Sequence, residues 1–488
     1  MALPPAAARR HHVLSRLRGH HRYYLAVALV TVTLLAASIA LVLARPWFAS
    51  PSAPQGLIVL RSEPGGARVE SDGRGLGVTP ARLELSAGEH RLDLRLEGYI
   101  PTSITALVEE NAVTAIDTQL WLGTARVQRL RPVFPGSVVT NASFLSDGVV
   151  ALSLSLPSAR GQELWVVDPS GRAERLGTVG VRGSVAATSD GKQVAYLAGM
   201  AHANVGAERL DEAWVAAADG GGLRKLYELP STATDYRLSD LSWIPDGKQV
   251  LLVSSEQASG ESSSTHFVSL DVGTGATEEV LAIPSDVVEG SLAWSPNGKH
   301  VAFLTRSGGT GGSAISLCLL DVSTGDFRYL ADLGRDDQGS LPFVPLSWSP
   351  DGQSFVYSAP EEGATQSPSL SLSLLGGKPP QVLYRSDVSK PRSERIGAAE
   401  GQFPIWRSDG QLLALAPPNG GGPLVVRAID SSGRTTDVGQ VPLRVQGSYS
   451  VLWDAPHAQA LIAFHNPNDL GSSSTELWWL HFRPEVDR

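Results

Sequence analysis

Cysteine is almost absent from this chain, with one residue, Cys318, among 488. A lone thiol excludes an internal disulfide framework and any multi-cysteine metal site, and its place in an apolar run marks it as packed and inert. Acidic residues are missing from residues 1–50, which hold six Arg, so the remainder sets 34 basic residues against all 49 acids. A body this negative argues against nucleic acid as a partner, because phosphate binding needs a basic face. No Gly-x-Ser-x-Gly occurs, which removes the nucleophile elbow of a hydrolase. The pairs Gly191-Lys192, Gly247-Lys248 and Gly298-Lys299 lack the earlier Gly and the Ser/Thr of a phosphate loop. Gly73-Arg74-Gly75-Leu76-Gly77 lies between short strands with no helix after it, so it is no dinucleotide fingerprint.

Metal-binding patterns are equally thin. His202, His266, His300, His457, His465 and His481 are scattered, and no pair has the spacing of a helical zinc site. The acids Asp235, Asp240, Asp336 and Asp337 fall outside the EF-hand pattern and read as solvated loops. Asn141-Ala142-Ser143 is a glycosylation sequon with no further support. No residue is therefore assigned a catalytic, cofactor-binding or metal-ligating role, and no cofactor is expected.

What the chain does have is a repeat. Trp294-Ser295-Pro296-Asn297-Gly298-Lys299 returns as Trp243-Ile244-Pro245-Asp246-Gly247-Lys248, Trp348-Ser349-Pro350-Asp351-Gly352-Gln353 and Trp406-Arg407-Ser408-Asp409-Gly410-Gln411. Copies without Trp occur at Ser146-Asp147-Gly148 and Ser189-Asp190-Gly191-Lys192, and a degenerate copy begins at Trp453. Successive turn centres lie roughly 43 to 58 residues apart, close to the period of propeller blades. Pro pre-sets φ, Asp or Asn accepts a local backbone hydrogen bond, and Gly supplies the positive φ that closes the turn. A short apolar run follows each turn (Val301 to Leu304, Val250 to Val253) and reads as a buried strand. A second apolar strand ending in Asp comes next, then a Gly turn and an outer strand, which makes four strands per repeat. One such sheet cannot cover both of its faces, so the sheets must stack in a ring.

This pattern resembles the WD-like propeller repeat of TolB-type proteins, over residues 124–488. Strand counting predicts seven blades, with six as the alternative. The last repeat runs out of strands, and Ala125 to Leu130 has the look of the outer strand that would complete it. The Trp residues before the turns recur once per blade and are expected to pack between blades, not to cage a ligand. The Ser-rich stretches 259–265, 308–313 and 365–373 are loops on which a binding face could draw.

Residues 56–122 form a smaller β segment. Pro64-Gly65-Gly66-Ala67, Asp72-Gly73, Gly77-x-Thr79-Pro80 and Gly98-Tyr99 are similar to the PEGA domain, named for a Pro-Glu-Gly-Ala turn, with Gly65 in the Glu place. The resemblance implies a small β-sandwich serving as an extracytoplasmic spacer or adhesion element. Ahead of it, Arg9, Arg10, Arg16, Arg18 and Arg22 form a basic tail (1–22), followed by an uncharged stretch over 23–44 and a Pro/Ser linker over 45–55. The 22 uncharged residues predict one transmembrane signal-anchor helix, with the N-terminus cytoplasmic and the bulk of the chain outside; a cleaved signal peptide is the competitor. His11, His12, His20 and His21 belong to the polar flank.

The expected protein is thus all-β, a PEGA-like sandwich and a propeller preceded by one membrane span. Its expected role is non-catalytic, binding a protein or cell-envelope polysaccharide through propeller loops at the cell membrane. The alternative is a propeller enzyme, a lyase or glycan hydrolase, with a site in the central channel. Convergent acids or histidines in the channel favour the enzyme, and a channel of Val, Ala and Ser opposes it. A sensor acting through another membrane protein is a third reading.

Overall fold

The computed structural model describes residues 26–36, 38, 55–130, 137–145, 148–156, 162–168, 170–176, 181–199, 211–230, 235–256, 264–307, 313–336, 346–360, 381–390, 392–396, 403–416, 422–430, 432–444, 448–465 and 475–484. The basic tail, most of the linker, the loop residues 308–312 and 365–373, most of 259–265, and His202 and Asp337 lie outside them. Contacts divide the chain into two compact units, one of residues 1–59, 82–89 and 107–115, the other of 60–81, 90–106 and 116–488.

The N-terminal helix corrects the sequence-based expectation. Helical residues run over 26–36, about three turns and about 16 Å of rise, against the roughly 30 Å of a hydrocarbon core. Thr31 and Thr33 return their hydroxyls to carbonyls one turn back, at 2.9–3.0 Å. Among the described residues no helix is long and apolar enough to cross a membrane. A transmembrane helix is therefore not part of the described fold. Within 23–44 the described helical residues are 26–36 and 38, and lack of charge does not by itself set helix length.

The rest of the first unit is built on a three-stranded sheet in the order Ala81–Ser86, Gln55–Glu63, Val113–Gln119. Its central strand alternates as a half-buried strand should, with Ile58 and Leu60 fully covered. A four-stranded sheet, in the order Arg74–Val78, Arg68–Ser71, Gly88–Arg95, Thr102–Val108, lies mostly in the second unit. There Leu92 and Leu94 are buried, as their polar-apolar alternation predicts.

From residue 126 onward the second unit consists of antiparallel blades, each built around four strands, the first two joined into one sheet by the single pairing Gln162↔Val181. Blade 1 runs from Val138–Phe144 to Ala173–Arg175, blade 2 from Val181–Ala187 to Arg224–Glu228, and blade 3 from Tyr236–Trp243 to Thr277–Ile283. Blade 4 has a broken inner strand, Asp286–Val287 and Ala293–Trp294, and ends at Phe327–Asp336. Blade 5 spans Leu346–Trp348 to Glu394–Arg395, and blade 6 Phe403–Trp406 to Thr435–Arg444. The seventh holds Ser448–Asp454, Gln459–His465 and Thr475–His481, and its fourth strand is Arg126–Leu130, paired in register from His481↔Arg126 to Leu477↔Leu130. Contacts between the inner strands of blades 7 and 1 close the ring.

Residues on both faces of each sheet are buried, so every blade shares an apolar layer with each neighbour. Leu461, Ala463, Leu477 and Trp479 of blade 7 join Val139, Val150 and Leu152 of blade 1 in one cluster at the closure. The tryptophans link neighbouring blades by hydrogen bonds as well. Trp294 Nε1 donates to Ser242 Oγ at 3.1 Å, Trp348 Nε1 to the Ala293 carbonyl at 3.0 Å, and Ser347 Oγ accepts from Trp406 N at 2.8 Å. In each case the partner is the residue just before the Trp of the preceding blade, or takes that place. Packing between blades thus accounts for their recurrence.

The closure is the part most exposed to a single change. Trp479 is fully buried there and donates Nε1 to Gln459 Oε1 at 3.1 Å. Trp479→Ala is expected to destabilise the fold by about 3–5 kcal/mol, read as a fall in the urea midpoint. An unchanged midpoint would mean that the blade 7–blade 1 seam carries little of the stability.

Candidate functional site

The histidines and turn acids serve the scaffold. His300 Nε2 lies 3.4 Å from Asp321 Oδ2, His266 Nδ1 3.5 Å from Glu279 Oε1, and His457 Nδ1 2.9 Å from Asp454 Oδ2. The Asp321 carboxylate accepts from the backbone N–H of Ser323 and Thr324 at 2.9 and 3.1 Å, closing its own turn. A groove of about 490 Å³ is lined by His300, Asp321, Asp326, Phe327, Arg328 and Val388. Its guanidinium is committed, because Arg328 donates to the carbonyls of Val388 and Lys390 on blade 5. Arg224 of blade 2 does the same to the Val272 carbonyl of blade 3, at 3.0 Å. The groove is therefore one instance of a repeated clasp between blades.

Blade 6 departs from the turn pattern by placing Arg407 where other copies have Ser or Ile, and the structure gives the reason. Arg407, only 2 % exposed, sits 2.8 Å from Asp409 Oδ2 and donates to the Gln119 carbonyl at 2.9 Å. Its guanidinium also lies 5.1 Å from the Trp121 ring centre. Burial pushes the Arg407 pKa down and that of Asp409 up, each opposed by the partner's charge. This is a buried structural ion pair.

A different arrangement occupies the ring axis, where the inner strands of four blades meet. Asp240 of blade 3, 1 % exposed, follows a bulge at Ser239. Its Oδ1 accepts from the Leu241 N–H at 2.8 Å and from the Ser184 hydroxyl of blade 2, and its Oδ2 accepts from the Gly290 N–H of blade 4 at 2.9 Å. Gly290 belongs to the turn that breaks the inner strand of blade 4. There the Ser291 N–H returns to the Val288 carbonyl at 3.2 Å, and Ser291 Oγ accepts the Leu304 N–H at 3.0 Å. Gly290 has φ +71°, and a Cβ at this position would come within 2.8 Å of Asn141 Nδ2 on blade 1. Only glycine combines that conformation with so close an approach. Asn141, Ser184, Asp240 and Gly290 thus bring blades 1 to 4 together at one point.

The electrostatics follow from this enclosure. Burial pushes the Asp240 carboxyl up to about 7; the hydrogen bonds from Ser184, Leu241 and Gly290 pull it down, and nearby Glu289 raises it further. Glu289 retains solvent access yet is flanked by protein on the channel wall, and this partial desolvation raises its pKa against the opposing charge of Arg237. Two acids therefore converge in the channel, which is neither the apolar lining that opposes a channel site nor a metal cluster. Among the described residues no group of three or more His, Cys, Asp or Glu could hold a metal ion. Asp235 and Asp240, paired in the sequence, part company, since Asp240 alone enters this cluster. Asn141 is 7 % exposed, a poor position for its sequon to be glycosylated.

The sequence carried a signal for Asp240. Counting back three from each repeat Trp gives Asp240, Ser291, Pro345, Phe403 and Ser450, so a single charged residue stands at an inward position. Nothing comparable marks Asn141, Ser184 or Glu289, because their meeting depends on the ring.

Three donors aim at one carboxylate, so Asp240→Asn would leave an amide N–H₂ facing a donor. A loss of about 1–3 kcal/mol is expected in urea unfolding. The folded chain holds the Asp240 proton up to about pH 7, whereas the unfolded chain releases it near about pH 4. The stability this group contributes is complete below about pH 4 and is lost as pH rises towards 7. The advantage of wild type over Asp240→Asn should therefore shrink across that window and level off above it. Gly290→Ala should cost more than about 1 kcal/mol, through both its φ and the contact with Asn141; a neutral substitution would show that the turn does not meet blade 1.

Residues 55–122 match the PEGA domain family. No curated protein matches the chain. Among solved structures it is similar to an oligogalacturonate lyase in complex with manganese, at 13% identity and TM-score 0.48, over 74% of this chain and 94% of that one. It is similar to the β-propeller domain of the Trilobed protease from Pyrococcus furiosus, at 12% identity and TM-score 0.42, over 73% and 98%. TolB from Acinetobacter baumannii is similar at 16% identity and TM-score 0.31, over 69% and 80%. These are likenesses of fold, and no activity transfers through them. The chain carries a PEGA domain over 55–122, followed by propeller sheets.

Proposed function

We propose that this chain is a non-catalytic binding protein in which a PEGA spacer accompanies a TolB-like propeller that engages a protein or cell-envelope glycan. The observation that carries the reading is the meeting of blades 1 to 4 at one point between their inner strands. The turn at Gly290 reaches the Asn141 side chain, and Asp240, the most buried acid there, has its oxygens committed to Ser184, Leu241 and Gly290. A carboxylate used in this way ties three blades together and is not free to attack or protonate a substrate. Placement outside the cytoplasm is part of this proposal, and the PEGA segment is what supports it.

One observation favours the enzyme as a second reading. Glu289 keeps solvent access and has a raised pKa, as a general acid would require. Purified full-length chain, immobilised and exposed to an envelope fraction, separates the two. Saturable retention of a protein or polysaccharide that is recovered intact is the expected outcome. Recovery of neither would overturn the binding reading. Release of shortened glycan, abolished in Glu289→Gln, would establish the enzyme.

A further inference from the structure

The strand that closes the ring buries little of itself. Within Arg126–Leu130 only Leu130 is buried, and the strand lies at the end of its sheet, paired with Thr475–His481 alone. Arg129 Nη2 reaches Glu476 Oε1 at 2.7 Å and Arg126 Nη2 the Arg483 carbonyl at 3.1 Å, both at the surface, where such contacts add little stability. An outer strand of this kind should fray readily. The chain just before it is held far more firmly. The Leu122 N–H donates to the Phe482 carbonyl at the end of blade 7, at 2.7 Å. The Gln440 N–H of blade 6 donates to the Gly123 carbonyl at 2.8 Å, and the Ala125 N–H returns to the Gln440 carbonyl at 3.0 Å. Gly439 approaches so closely that a Cβ there would meet the Gly123 carbonyl oxygen at 2.6 Å. Trp121 is buried and stacks on Phe482, with ring centres 5.3 Å apart. Trp121 and Ala125 share one apolar cluster with Leu424 and Val441 of blade 6 and Leu480 of blade 7. Arg407 donates to the Gln119 carbonyl and Arg483 to Gln119 Oε1, so side chains from the ends of both blades grip the same stretch. All of these residues belong to the second unit.

We infer that residues 119–125, which lead the chain out of the PEGA match, are a latch on the ring and that Arg407 fastens it. While the latch is shut, Arg126–Leu130 starts from a fixed point at blades 6 and 7, and its pairing costs little further chain entropy. With the latch released, five mostly uncovered residues must pair unaided, and blade 7 loses its outer strand. Opening is confined to that seam, because blades 1 to 6 each draw their strands from one continuous stretch of chain. Arg407 controls the latch because its guanidinium is buried and divided between two partners, Gln411 Oε1 at 3.0 Å and the Gln119 carbonyl at 2.9 Å. Removing it strands the Asp409 charge and the Gln119 carbonyl in the interior. A spacer that merely preceded the propeller would leave the ring indifferent to it; here its last residues take part in the closure. The inference goes beyond the binding reading and does not depend on it.

Hydrogen exchange followed by mass spectrometry on the full chain tests the latch, in wild type, Arg407→Ala and Arg328→Ala. Arg328 serves as the control, since it clasps blades 4 and 5 in the same chemical manner. In Arg407→Ala the amides of 126–130 and 475–481 are expected to exchange about a hundredfold faster, while the strands of blades 2 to 4 keep their wild-type rates. Arg328→Ala should leave 126–130 unchanged. Exchange that rises equally in every blade of Arg407→Ala would reduce Arg407 to a general stability residue and overturn the inference. Unchanged exchange at 126–130 would overturn it as well, and so would the same opening in Arg328→Ala. Should Arg407→Ala not fold, Arg407→Lys keeps a charge beside Asp409 while giving up the two-pronged donation, and the same outcomes decide.

Discussion

Each four-stranded sheet beyond residue 126 carries apolar side chains on both faces, and that constraint governs the architecture. A sheet covered on one side only would leave a row of Val, Leu and Phe in water, at about 1.5–3 kcal/mol for each side chain. Stacking sheets side by side removes the penalty everywhere except at the two ends of the stack, and closing the ring removes it there. The strand Arg126–Leu130 completes the sheet of Ser448–His481 and so ties the beginning of the ring to its end. Its pairing also covers an edge that would otherwise present free backbone donors and acceptors.

Closure has a polar counterpart. The inner strands converge on the axis, where there is little room for side chains and each exposed backbone group needs a partner. Tryptophan N–H groups and inner-strand serines meet part of that need along the ring. At blades 1 to 4 the need is met differently, by a buried carboxylate and a glycine turn that closes the axis. The same enclosure that shields Asp240 raises its pKa, so rigidity at the centre is coupled to the protonation of one side chain.

Much of the fold was legible because its signals are local. The Pro, Asp and Gly of each turn dictate backbone conformation within a few residues, and the Asp carboxylates at Asp190, Asp246 and Asp351 accept the N–H two residues on. The apolar runs that follow are buried strands, and the alternation in Gly88–Arg95 places Leu92 and Leu94 inside. Where the local signal was composition alone, it misled. An uncharged stretch over 23–44 predicted a spanning helix, yet the described helix covers residues 26–36. Arg407 was read only as part of a regular turn copy, and its partner Gln119 lies far away in the chain.

By itself the sequence determined the repeat, the turn chemistry, the strand order within each blade and the strand left over to complete the last one. All of these depend on neighbours in the chain and on the rule that apolar faces must be covered. Only the tertiary structure decided which polar groups meet at the axis. Asn141, Ser184, Asp240 and Gly290 are separated by scores of residues and belong to four different blades. The curvature of the closed ring brings them together, and no spacing in the chain encodes that distance.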